Sequence, residues 1–126
     1  MNATQFLLAQ QAQRFEQDCR SAQARVASAR TMWEVNRAAH VVAPSLLRGV
    51  RLQRQGAGQQ LAQAALKRME ALLSAQLKES AAIPDLEARK AFLGRLRMRE
   101  WDALRGDFAM LYRQADMEGR KLLAQS

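Results

Sequence analysis

Residues 15–36 read FEQDCRSAQARVASARTMWEVN, and the spacing of their apolar side chains decides the fold. Steps of four and three put Phe15, Cys19, Ala22, Val26, Ala29, Trp33 and Asn36 on one helical stripe. The alternation continues to Leu8 and Ala12 on one side and to His40 on the other. That is a heptad seam, the mark of a helix packed along another helix. Small alanines separate its large residues, so a facing helix is expected to supply the bulk.

The bulk stands near the other end of the chain. Leu104, Phe108, Leu111, Ala115, Glu118 and Leu122 form a second seam. If the first and last helices run parallel, Ala22 falls level with Leu104, Val26 with Phe108, Ala29 with Leu111 and Trp33 with Ala115. Small then faces large at nearly every layer, the condition for interdigitated packing. The same alignment sets Asn36 level with Glu118 and leaves His40 one layer further on, a candidate polar layer. Such a layer can fix register.

The composition agrees with helix. Alanine, glutamine, leucine, arginine and glutamate dominate, and each loses little rotamer freedom in a helix. Pro44 and Pro84 punctuate the chain, and proline disfavours helix at the residue before it. These signals predict helices over about 4–42, 45–82 and 85–124. Asn2 and Gln5 make a capping pair for the first, and Asp85 and Glu87 suit the positive end of the last. Gly56 and Gly58 predict that the middle helix is kinked or split, because each glycine costs about 1 kcal/mol relative to alanine. They also leave room for the Trp33 indole. The expected fold is all-α: one elongated up-down-up three-helix bundle with coiled-coil-like packing, a single domain spanning residues 1–126.

Few residues offer chemistry. The chain holds one His, one Cys and one Tyr. Cys19 and His40 are separated by about 31 Å along one helix, too far for a dyad. One His and one Cys cannot supply an ordinary zinc site. Carboxylates alternate with basic residues as helix-face pairs, for example Asp102 with Arg105 and Asp116 with Arg120. No phosphate-binding or metal motif is visible. No catalytic residue, cofactor, metal or small-molecule substrate is expected, and the chain reads as a non-enzyme.

The net charge of +8 favours acidic partners. Lys67 and Arg68 are expected to stand near Arg95, Arg97 and Arg99 across the Pro84 turn. Arg37, Arg48 and Arg51 are expected to come together across the Pro44 turn, with Arg120 and Lys121 close by, and Arg54 is a further candidate contact in the same basic run. These groups are candidate phosphate contacts, which need charge rather than sequence readout. Residues 45–55, SLLRGVRLQRQ, form a basic amphipathic stretch but lack an aromatic anchor, so a membrane surface is the weaker expectation. Trp101, Met110, Tyr112 and Met117 lie off the main seam and are candidates for a protein interface.

No run of about 18 apolar residues exists, and the N-terminus lacks a basic leader region. One cysteine makes no internal disulfide. Together these predict a cytoplasmic protein. The expected function is a helical adaptor or assembly protein that acts through helix faces and self-associates. The alternative is an accessory subunit that binds nucleic acid without sequence preference.

Overall fold

The computed structural model describes residues 2–40 and 56–124. Among them the chain forms five α-helices and one 3-10 turn, with no strand. These are α1 (Ala3–Ser28), α2 (Met32–His40), α3 (Ala57–Ala81), α4 (Leu86–Arg99), the 3-10 turn Trp101–Leu104, and α5 (Ala109–Ala124). The all-α class stands, but both long outer helices are broken. The three-helix bundle is replaced by shorter helices.

The first break is built from local bonds. Ala29 has an extended backbone, with ψ 137°, and its N–H donates to the Val26 carbonyl. Thr31 Oγ1 then accepts the Glu34 N–H at 3.1 Å, and the Glu34 carboxylate accepts the Arg30 N–H at 2.8 Å. This is a capping box in all but one residue of register. The Ala29 carbonyl left over at the end of α1 accepts two bonds from the Arg68 guanidinium, at 2.9 and 2.6 Å. Both ends of the break are therefore satisfied, and a continuous helix gains nothing by replacing it.

After the break α2 folds back along α1. Arg25, Ser28 and Ala29 share one cleft with Glu34, Arg37 and Ala38. The buried positions shift with it: Met32, Val35, Ala38 and Ala39 face the core. Trp33 is 42% exposed, so it neither meets Ala115 nor needs space beside Gly56 and Gly58. The partner of α1 is α3, and α5 packs on α3, α4 and the 3-10 turn. The expected side-by-side packing of first and last helices is thus overturned.

The second break removes the expected helix over 85–124. Glu100 ends α4, and Trp101 turns into the core, fully buried. Gly106 and Asp107 follow, both poor helix formers. The Pro84 turn forms as the sequence suggests, with Asp85 as N-cap of α4 accepting the Ala88 N–H at 2.9 Å. Gly56, at φ 116°, precedes α3 in a conformation that favours glycine, while Gly58 lies inside the helix. The Pro44 turn and the expected helix over 45–55 lie outside the described residues.

Contacts along the helices give their directions. Arg89 donates to the Leu122 carbonyl and Arg97 pairs with Asp116, so α4 and α5 are antiparallel. Ala62 and Leu66 share a groove with Ala109 and Met110, while Leu77 and Ala81 share another with Glu118 and Leu122, so α3 and α5 are parallel. Met32 bonds to Glu100, itself bonded to Gln76, and His40 reaches Asp107 beside the α3 groove. Hence α2 runs against α3. Since α2 also folds back on α1, α1 and α3 run the same way. Cys19, Ala22, Val26 and Ala29 meet Leu61, Ala65 and Met69 in one core, closed by Trp101, Leu104, Phe108, Leu111 and Ala115.

Candidate protein-interaction surface

Among the described residues nothing covers the start of α1. Asn2 Oδ1 accepts the Gln5 N–H at 2.8 Å and the Gln5 side chain accepts the Asn2 N–H, so the helix is capped by its own residues. Every residue from Asn2 to Arg14 is exposed, and the first buried side chain is Cys19. Because α1 and α3 are parallel and α3 begins at Ala57, this arm runs past the end of its neighbour. Phe6, Leu7 and Leu8 are 53%, 56% and 60% exposed. From Asn2 to Gln13 no side chain is ionisable. An exposed helix carrying three consecutive large apolar residues and no charge is a candidate association surface.

A second apolar surface lies between α3 and the start of α5. It is a groove of about 420 Å³ lined by Ala62, Leu66, Phe108, Met110 and Leu111, together with Glu70 and Asp107. Met110 is 82% exposed there. Met117 is also exposed, further along α5. Tyr112 is half-buried, with the Arg105 guanidinium 5.0 Å from its ring centroid and 3.2 Å from its hydroxyl. Trp101 is no surface residue: its indole N–H donates to Gln76 Oε1 at 2.9 Å, and its ring lies against Gly119. The 3-10 turn changes the helical phase, which carries Trp101 from an off-seam position into the core.

Beside Trp101 lies a half-buried polar chain. Gln76 Nε2 donates to Glu100 Oε1 at 3.0 Å, and the same oxygen takes the Met32 N–H at 3.4 Å. Burial raises the Glu100 pKa from its ordinary value; the bonds from Met32 and Gln76 oppose that rise and the Glu34 charge adds to it. This chain joins α2, α3, α4 and the 3-10 turn. Burial, followed by the Asp18 charge, also raises the Cys19 thiol pKa, which disfavours the thiolate.

Several of the expected arginines are engaged within the fold. Arg68 holds the Ala29 carbonyl, Arg97 pairs with Asp116 at 2.8 Å, and Arg95 lies over the Phe92 ring at 5.8 Å. Lys67 and Arg99 are exposed. Arg48, Arg51 and Arg54 lie outside the described residues. Arg120 pairs with Asp116 and Lys121 with Glu118. Both stand at the far end of α5 from Arg37, because α5 starts, rather than ends, beside α2. For the same reason the polar layer does not assemble. His40 Nε2 lies 3.8 Å from Asp107 Oδ2, an ion pair whenever the imidazole is protonated. Glu118 sits beside Leu77 and Lys78 instead, and among the described residues no bond joins it to the half-buried Asn36.

Among the described residues no group of three His, Cys, Asp or Glu side chains could hold a metal ion, and no helix is long and apolar enough to cross a membrane. The chain matches no protein-family model, no curated protein and no solved structure.

Proposed function

We propose that this chain is a non-enzymatic helical assembly protein that works by helix-to-helix contact and associates with further copies of itself. The observation that carries this reading is the α1 arm: Phe6, Leu7 and Leu8 exposed on a self-capped helix with no charge from Asn2 to Gln13. In a chain of net charge +8, a neutral apolar arm is where two copies meet with least repulsion. The reading includes a reducing, cytoplasmic setting, which suits the free thiol of Cys19.

Light scattering on the full chain across a concentration series tests it. The expected mass exceeds the 14.2 kDa monomer and falls to it when Leu7 and Leu8 are changed to Gln. A strict monomer at every concentration rejects the reading. Nucleic-acid binding is the less supported alternative, since Arg68 and Arg97 are occupied within the fold.

A further inference from the structure

We propose that the groove between α3 and the start of α5 receives the α1 arm of a second copy of this chain. The inference rests on the assembly reading and names the surface that the arm meets.

The two surfaces suit each other in shape. Successive helical residues point about 100° apart, so Phe6, Leu7 and Leu8 spread over roughly 200° of the arm. One flat helix face covers a single stripe of such an arm. A groove with walls from both α3 and α5 covers two sides of it. Leu66 and Met110 supply exposed apolar contacts there, above Phe108 and Leu111.

Charge points the same way. The arm is neutral, and the ionisable side chains lining the groove are Glu70 and Asp107, both acidic. Two copies of net charge +8 therefore meet here without placing cation against cation.

Nor can an arm fill its own groove. Arg68 marks the side of α3 turned to α1, through its bonds to the Ala29 carbonyl. Leu66 and Glu70 stand two residues either side of Arg68, about 200° round the helix. The arm also leaves the body beyond Ala57, away from the groove, for as long as α1 is one helix. Each copy thus offers one arm and one groove, and a reciprocal exchange closes a pair.

The test mixes two variants of the full chain. Leu7→Gln with Leu8→Gln disables the arm and leaves the groove. Leu66→Glu with Met110→Glu disables the groove and leaves the arm. Each alone should weaken association at least about tenfold, seen by sedimentation. Mixed together, they should form a pair of twice the 14.2 kDa mass, held by the one intact arm in the one intact groove. Thermal melts check that each variant is folded, and Met110→Glu alone replaces the groove variant if the double change unfolds it. Restoration on mixing supports the inference. A groove variant that associates like the parent, or a mixture that stays monomeric, overturns it while leaving the assembly reading intact. A parent chain that is itself monomeric overturns both.

Discussion

Two glycines in similar helical settings should respond oppositely to the same change. At Gly119 an added Cβ would stand 3.3 Å from Trp101 Cη2 and 3.4 Å from Cζ3. The indole cannot retreat, because it is fully buried and tethered through its N–H to Gln76. Gly119→Ala gains about 1 kcal/mol of helix propensity. It loses about 1–3 kcal/mol to overpacking, and a net loss is expected. At Gly94 nothing lies within 4 Å of the added atom, so Gly94→Ala should stabilise by about 1 kcal/mol. Urea unfolding midpoints compare the two. Glu100 makes a third residue-scale prediction. Its folded pKa is raised, mainly by burial, so its contribution is fully present below the unfolded value and is lost as pH rises through the folded one. Glu100→Gln keeps an oxygen for Met32 and Gln76 and carries no charge. The variant should therefore gain stability relative to the parent between acidic and neutral pH. Parallel stability curves for the two across that range would contradict the assignment.

Among the elements, the reversal between α1 and α2 matters most, and it was partly written in the sequence. Thr31 and Glu34 have the spacing of a capping box and sit at the break. The heptad seam hid them because Met32 and Trp33 are adjacent and both apolar. A step of three from Ala29 reaches one and a step of four reaches the other, so periodicity alone does not choose. The choice is made by Arg68, whose bond to the Ala29 carbonyl joins residues far apart in the chain and leaves no local trace. Trp101 was misplaced for a related reason: a 3-10 turn has a different period from the α-helix on either side. The elements whose signals are local were legible. The Asn2–Gln5 cap, the Pro84 turn and the buried run Cys19, Ala22, Val26 all form as their residues suggest, and Asp85, expected as a first-turn carboxylate, is the N-cap one residue earlier. The reversal can be tested from both sides. Thr31→Ala should cost about 1 kcal/mol by removing the cap. Arg68→Met, which keeps the stem but not the donors, should cost about 1–3 kcal/mol by stranding the Ala29 carbonyl. If both changes leave the unfolding midpoint unmoved, neither bond holds the break.

For the molecule as a whole, the candidate surface became visible only once the helix directions were known. The sequence assigns Leu8, Ala12 and Phe15 to a covered seam. The fold uncovers the lower part of that seam because α3 begins at Ala57, level with the middle of α1 rather than its start. The net charge of +8 sets up a long-range positive field around the chain. That field gives the two functional readings opposite salt dependence. Copies of net charge +8 repel at long range, while the arm that joins them is neutral. Salt shortens the reach of the repulsion, to about 10 Å at 0.1 M and about 3 Å at 1 M, and leaves apolar contact intact. Self-association should therefore tighten, on the order of a few-fold, as salt is raised from low to moderate concentration. A protein working through phosphate contacts behaves in reverse, because each contact releases counterions and affinity falls steeply with salt. Sedimentation equilibrium at two salt concentrations, beside oligonucleotide anisotropy at the same two, separates these cases. Association that dissolves as salt rises would mean that charge, and not the arm, holds the copies together.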